Sequence, residues 1–326
     1  MTDMRAVDIA ILGAGAVGQL ICRQLIAAGE HVGFIARHPH GSVSQQDSQA
    51  RQYSQSQPLS FTPLVASEAN HSPQPIDYCV PIVATNALDH LRLVVVCVKA
   101  YQVIDALLPL LNQLPRQCHI LLLHNGMGPH LAIAPLIEKI DNRGLSLGTT
   151  SQGVLRQARW QIKHTGKGLT QLGHFTGTEL AEHYRNAILT AIPNSEWVDA
   201  IVPCLWQKLA VNAAINPLTA LHQCPNGALA KADFNEIIKG ILDELVMVAA
   251  QDGVPLDKPL LHDRIYQVIQ LTAANFSSMH QDVAHQRQTE IDQINGYICE
   301  RAQAHGLTAP INAKLCEQIK LLAVTA

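Results

Sequence analysis

In the run Leu205-Trp206-Gln207-Lys208-Leu209-Ala210-Val211-Asn212-Ala213-Ala214-Ile215-Asn216-Pro217, the polar residues Lys208, Asn212 and Asn216 recur every fourth position among mostly apolar ones. On an α-helix this spacing aligns them along one stripe. Such a stripe either faces water or must find polar partners, because an unpaired buried polar group is costly. If the stripe faces a cleft, its chemistry suits carbonyl reduction. Hydride addition creates an alkoxide, which a protonated lysine can stabilise and then supply with a proton. Partial desolvation would lower the lysine's pKa toward the working range. Pro217 lacks an N–H and is predicted to kink or end the helix just after Asn216.

A second constellation lies near the N-terminus. Gly13-Ala14-Gly15-Ala16-Val17-Gly18 reads GxGxxG. Alone the pattern says little. Here it follows an apolar run, Val7–Leu12, and opens a predicted helix over Gln19–Ala28, with a second predicted strand at His31–Ala36. In that β-α-β setting Gly13 permits a tight turn, Gly15 lets a pyrophosphate approach the backbone, and Gly18 lets helix and strand pack closely. The helix N-terminus offers N–H groups to the phosphates. The second strand ends Phe34-Ile35-Ala36-Arg37, with no acid to hold ribose hydroxyls. Arg37 can meet a 2′-phosphate with its charged fork, which favours NADPH over NADH, although a solvated surface arginine would look the same. Two more polar residues follow buried strand-like runs, where open α/β sheets bind ligands: Lys99 after LRLVVVCV and Asn125 after HILLLH. A strand-end lysine and an Asn-Gly turn are the plainer readings of these two.

These residues need a frame. Apolar runs predict further strands at Leu91–Val98, His119–Leu123, Leu145–Val154, Trp160–His164 and Leu169–Gly173, with helices at Val103–Leu111 and Thr178–Ile192. Between them lies a long polar stretch, roughly 38–86, whose Gln/Ser-rich part (41–58) has no clear role; short antiparallel strands are expected near Leu59–Val65 and Ile76–Val83. After about residue 200 the pattern is helical only, with helices expected at 201–222, 228–252, 258–275, 282–305 and 312–324. The expected architecture is α/β: an N-terminal Rossmann-type dinucleotide-binding domain (1–199), then an all-α substrate and catalytic domain (200–326), with the active site in the cleft between them. Within the helical half, Asn275-Phe276-Ser277-Ser278-Met279 and Glu290 also stand out. Ser277 or Ser278 could simply cap a helix. Glu290, in HQRQTEIDQIN, has the surroundings of a solvated face.

The bulk properties exclude several classes. The chain has 326 residues, 48% hydrophobic and 15% charged, enough for two cores. A net charge of -3 with no basic run gives no reason to expect nucleic acid or an anionic membrane as partner. No apolar stretch approaches the ~20 residues of a membrane span, and Asp3, Arg5 and Asp8 break any signal-peptide core, so a cytoplasmic protein is expected. The eight cysteines form no CxxC pair and are expected to be reduced and mostly buried; the sixteen histidines form no ligand grid, so no metal is expected.

Together these segments resemble the ketopantoate reductase family. GAGAVGQL, CVKAYQV, LLLHNGMG, LGTTSQG, LWQKLAVNAAINPLTAL, CPNGAL, NFSSMHQD, TEIDQINGYI and RAQAHGLTAP match it in order over nearly the whole chain. The resemblance implies NADPH-dependent reduction of 2-dehydropantoate to (R)-pantoate in pantothenate and coenzyme A biosynthesis. By it, Lys208 would be the general acid and Glu290 would orient Lys208 and the substrate. Asn212, Asn216, Asn275 and Ser278 would hold the substrate's carboxylate and hydroxyls. The loop Gly13, Ala14, Gly15, Ala16, Val17, Gly18, with Arg37, Lys99 and Asn125, would bind NADPH. The partner is then a small keto acid, and the protein a monomer or homodimer. The polar segment after Arg37 is longer than the family's linker here. Rival readings are another two-domain NADP reductase, such as a β-hydroxyacid dehydrogenase, an NADP-dependent reductase of another small 2-keto acid, and a non-catalytic NADPH sensor.

Overall fold

A computed structural model describes residues 7–35, 56–64 and 74–324. Its contacts divide the chain into two units: residues up to His124 with Pro129–Ile201, and Asn125–Gly128 with Val202 onward.

The first unit is built on one sheet. Its strands are β1 (Ile9–Leu12), β2 (Val32–Ile35), β3 (Ser56–Thr62), β4 (Ile76–Val83), β5 (Leu93–Val96), β6 (His119–Leu122), β7 (Gly144–Thr150), β8 (Gly153–Ala158), β9 (Gln161–Gly166), β10 (Thr170–Gly177) and β11 (Ser195–Trp197), in the order β11-β10-β7-β6-β5-β1-β2-β4-β3-β9-β8. The run from β7 to β4 is parallel throughout. Its central strands β1, β2, β5 and β6 are buried at every position, as a sheet covered on both faces requires. Four helices accompany it: α1 (Ala16–Ala27), α2 (Val103–Leu111), α3 (Pro129–Ile137) and α4 (Glu182–Ala191). The strand order reverses at β1, so the turn leaving β1 lies at the switch point where such sheets bind ligands.

The second unit is helical: α5 (Ile201–His222), α6 (Asn235–Gln251), α7 (Lys258–Leu271), α8 (Ser278–Ala284), α9 (Asn295–Ala304) and α10 (Pro310–Val324). Its core includes Trp206, Leu209, Ala213, Ile241, Leu245, Ile265 and Ile298, all nearly inaccessible.

Several sequence expectations need correction. The strand predicted over Leu145–Val154 is two strands, β7 and β8, because the chain turns at Ser151–Gln152. There Ser151 pairs with Leu169, and β8 leaves the buried centre to join β9. The helix predicted over 228–252 begins as 3-10 turns at Asn226–Ala230 and Ala232–Phe234 and becomes α-helical only at Asn235. The amide of Gly227 is spent on Ala273 O, so it cannot enter an α-helical ladder. The predicted helix 282–305 is interrupted: α8 ends in a reversal at Gln286 (φ 53°), and a 3-10 turn at Ile291–Gln293 precedes α9. Helix α3 and strand β11 escaped the sequence reading, α3 because Pro135 interrupts its pattern and β11 because it is so short. The antiparallel pairing expected for Ile76–Val83 is present, with β3 as its partner. No disulfide joins the eight cysteines; only Cys22, Cys118 and Cys316 are buried, and Cys79 is exposed, fewer buried thiols than expected.

Candidate active site

The glycine turn has the geometry that its spacing predicts. Gly13 has φ +113°, and a Cβ there would lie 2.7 Å from Val98 N, so only glycine fits. A Cβ on Gly18 would lie 2.0 Å from Gly13 O, which is the close strand–helix approach itself. Gly15 is different: the nearest atom to its Cβ position is Cys97 O at 3.9 Å, so the backbone is open there. Gly15 is also the N-cap of α1, and no side chain caps the first-turn N–H groups. An open backbone and uncapped amides at a helix N-terminus fit a pyrophosphate. The loop is braced from behind by Gln19, fully buried, whose Nε2 donates to Ala14 O (2.8 Å) and to Arg159 O (3.0 Å). Ala14, Ala16 and Val17 complete the turn and are half-buried. Lys99 stands just beyond β5 at the start of a 3-10 turn, half-buried; Cys97 N, two residues earlier, donates to Leu12 O (2.8 Å) and fixes the ends of β5 and β1 together. Arg37 lies outside the described residues.

In the helical unit, α5 carries Lys208, Asn212 and Asn216 along one stripe. Asn216 is buried and the other two are half-buried, so the stripe is not a solvated face. Lys208 Nζ donates to Asn125 Oδ1 at 3.0 Å. Asn125 follows β6 in the chain, yet the Asn125–Gly128 segment packs with the helical unit. That placement is fixed by backbone: Met127 N donates to Gln293 O (2.8 Å), and Gly126 (φ +75°) leaves no room for a Cβ, which would sit 2.5 Å from Gln293 O. Burial lowers the Lys208 ammonium from its ordinary range and the charge of Glu290 opposes it, leaving it at about 8.

Glu290 is only 4% exposed, which overturns the solvated-face reading of its polar surroundings. Thr289 and Ile291 on either side are buried with it, while Asp292 in the 3-10 turn that follows stays exposed. Pro217 does not end α5 after Asn216; the helix continues to His222. The carbonyl that Pro217 cannot serve, Ala213 O, accepts instead from Asn295 Nδ2 at 3.1 Å.

Ser277 is the N-cap of α8, accepting from His280 N (3.0 Å), so the capping duty falls on it and Ser278 is left exposed at the first helical position. Thr219, on α5, places its buried hydroxyl 2.7 Å from Ser277 Oγ and ties that cap to the stripe helix. Asn275 has an exposed side chain, and its backbone is pinned at both ends: its N–H donates to Thr272 O (2.8 Å) and its carbonyl accepts from Asn226 N (2.9 Å). Asn226 itself is buried, with Nδ2 on Thr272 Oγ1 (2.9 Å) and Oδ1 unsatisfied by protein. Asn226, Gln293 and Asn295 were missed from the residue pattern; CPNGAL and TEIDQING were visible as motifs, but nothing in them singled these residues out. Lys208, Asn125 and Glu290 are thus brought together. Gly13–Gly18 and Lys99 belong to the sheet unit, and Asn212, Asn216, Asn275 and Ser278 to the helical one. Among the described residues no group of acids, histidines or cysteines could hold a metal ion, and no helix is long and apolar enough to cross a membrane.

A dinucleotide-type turn at the switch point of a parallel sheet, followed in the chain by a helical unit that carries a desolvated lysine, defines the class of two-domain nicotinamide-dependent reductases. The chain belongs to the ketopantoate reductase family. Residues 9–177 match the family model described as ketopantoate reductase PanE/ApbA, and 200–323 match its C-terminal counterpart. The chain is 39% identical over 317 residues to the 2-dehydropantoate 2-reductase of Vibrio cholerae, spanning 97% of both chains. Its fold is shared with a D-mandelate dehydrogenase solved with NADH and anilino(oxo)acetate (TM-score 0.79, 22% identity, 98% of this chain and 99% of that one). It is shared also with a dimeric ketopantoate reductase from Staphylococcus aureus (TM-score 0.75, 21% identity, 98% and 99%).

Proposed function

We propose that the chain reduces 2-dehydropantoate to (R)-pantoate with NADPH, the step that makes pantoate for pantothenate and coenzyme A. Its relatives carry that activity in their name over nearly the full length of both chains. One observation carries the residue assignment: Lys208, desolvated to a pKa of about 8, bonded to Asn125 and under the charge of a buried Glu290.

NADPH, when bound, supplies the hydride. The turn Gly13, Ala14, Gly15, Ala16, Val17, Gly18 takes its pyrophosphate at the uncapped start of α1, Lys99 lies at the strand-end rim, and Arg37 takes the 2′-phosphate. Lys208 is the general acid: at neutral pH it is still largely protonated, and its proton passes from Nζ to the oxygen that was the substrate's carbonyl. Its hydrogen bond to Asn125 aims Nζ, and by the family resemblance Asn125 would lie near the reacting nicotinamide. Glu290 keeps Lys208 charged against the pull of burial. Asn212 and Asn216 on the stripe, with Asn275 and Ser278 beside the start of α8, hold the carboxylate and hydroxyl of the keto acid.

By this reading residues 1–199 form the NADPH-binding domain and 200–326 the substrate and catalytic domain. The protein works in the cytoplasm on a diffusible keto acid as a monomer or homodimer; the dimeric relative from Staphylococcus aureus supports the second.

The test is NADPH consumption by the purified protein with 2-dehydropantoate, beside NADH and beside other small 2-keto acids. Fast turnover confined to 2-dehydropantoate and NADPH is expected. Activity on a different keto acid alone would replace the substrate; NADPH binding without turnover on any would replace the enzyme by a sensor.

A further inference from the structure

Pro217 stands inside α5, and its missing N–H deprives Ala213 O, four residues earlier, of its helical donor. Asn295 supplies a donor from another element. Its side-chain amide, fully buried, donates to Ala213 O at 3.1 Å and to Asn312 Oδ1 at 2.9 Å, so both amide protons are committed. Asn312 is itself clamped. Glu244 accepts from its side-chain amide (2.7 Å) and from the backbone amides of Asn312 (3.0 Å) and Ile311 (2.8 Å) in the first turn of α10. Asn295 is therefore a fixed point against which the turn of α5 between Asn212 and Asn216 is registered. The rest of the stretch Glu290–Asn295 acts on the same centre. Gln293 O holds Met127 N, two residues beyond Asn125, and the charge of Glu290 acts on Lys208 against the pull of burial.

We propose that Asn295 is a positioning residue for the reduction. Its amide replaces the N–H that Pro217 lacks and holds α5 so that Lys208 and the two asparagines stay in register with Asn125 and Glu290. This rests on the reading of Lys208 as the proton donor. The reason for a proline there follows: a carbonyl served by a side chain locks the helix to α9, whereas one served by its own helix would not.

The test is a cycle between Asn295→Leu and Pro217→Ala, with Lys208→Ala in the same NADPH-consumption assay. Asn295→Leu is expected to lower kcat by ~10- to 100-fold, the scale of a misplaced catalytic group, and to move the alkaline limb of the rate–pH profile, because Lys208 changes its surroundings. NADPH affinity stays within about twofold. Pro217→Ala returns an N–H to Ala213 O, so the double variant recovers most of the kcat and the wild-type limb. The stability lost with Asn312's partner is not recovered. Wild-type kcat in Asn295→Leu would overturn the proposal, as would a slowed single variant that Pro217→Ala does not rescue. So would a fall in active fraction alone, with KM and the pH limb unmoved. If Asn295→Leu does not fold, the double variant is compared with Pro217→Ala: kcat within about threefold supports the proposal, while a drop beyond about tenfold, or a double variant that fails to fold, overturns it. Full turnover by Lys208→Ala would instead remove the underlying reading; a dead Lys208→Ala beside an unaffected Asn295→Leu removes only this one.

Discussion

Lys208 shows how one side chain is given two opposing pressures. Burial drives its proton off, and Glu290 holds it on; the balance falls at about 8. Lys208→Ala is expected to lower kcat by ~10²–10⁴-fold, the usual contribution of a general acid, with NADPH affinity barely changed by fluorescence titration. Glu290→Gln removes the pressure that raises the pKa, so the Lys208 pKa falls below about 8. The acid form then disappears at lower pH, and the alkaline limb of the rate–pH profile is expected to move downward in pH; a limb that stays or rises would contradict the pairing. Arg37→Ala is expected to weaken NADPH by ~1.5–3 kcal/mol, the range for a charged hydrogen bond, and to leave NADH nearly unaffected in competition binding. Equal losses for both cofactors would remove Arg37 from the 2′-phosphate.

At the scale of elements, the site depends on supports that do no chemistry. Helix α2 ends against Arg143, only 2% exposed, whose guanidinium donates to Leu111 O (2.8 Å), Leu114 O (2.9 Å) and Pro115 O (2.8 Å). These are carbonyls that a helix end leaves without partners. Arg143→Met keeps the apolar stem and abandons the carbonyls. It is expected to destabilise the fold by ~2–4 kcal/mol in urea unfolding, given about 1–3 kcal/mol for each buried group left unpaired. The glycine turn shows the same division between what acts and what supports. Its conformation was readable from GAGAVG because the positive φ of Gly13 and the approach of Gly18 to Gly13 O are local, while the Val98 backbone that crowds Gly13 and the brace of Gln19 against Arg159 O come from residues distant in the chain. Periodicity likewise found the buried parallel strands but ran α8 and α9 into one helix. The polar, helix-compatible residues between them are bent by contacts to Asn125–Gly128 and α5, which no pattern displays.

For the whole molecule, a ligand that binds the folded sheet unit must stabilise it by mass action. At a concentration about 100 times its Kd, NADPH is expected to add ~2.7 kcal/mol and to raise the unfolding temperature measurably; NADH at the same concentration should raise it less. Equal shifts would argue against a 2′-phosphate site.

The sequence by itself determined the class of fold, the place of the dinucleotide turn, the polar stripe on α5 and the family. Each of these rests on short-range rules: strand and helix periodicity, the steric need for glycine, and ordered motifs. Only the tertiary structure decided that Glu290 is buried, that Asn125 belongs with the helical unit beside Lys208, and that α5 passes through Pro217. Those facts depend on desolvation and on hydrogen bonds between residues far apart in the chain. Asn295 lies 82 positions from the Ala213 carbonyl it serves, and Lys208 lies 83 from Asn125. A side chain's partners, and hence its charge, are set by what packs against it, and sequence neighbours do not reveal that.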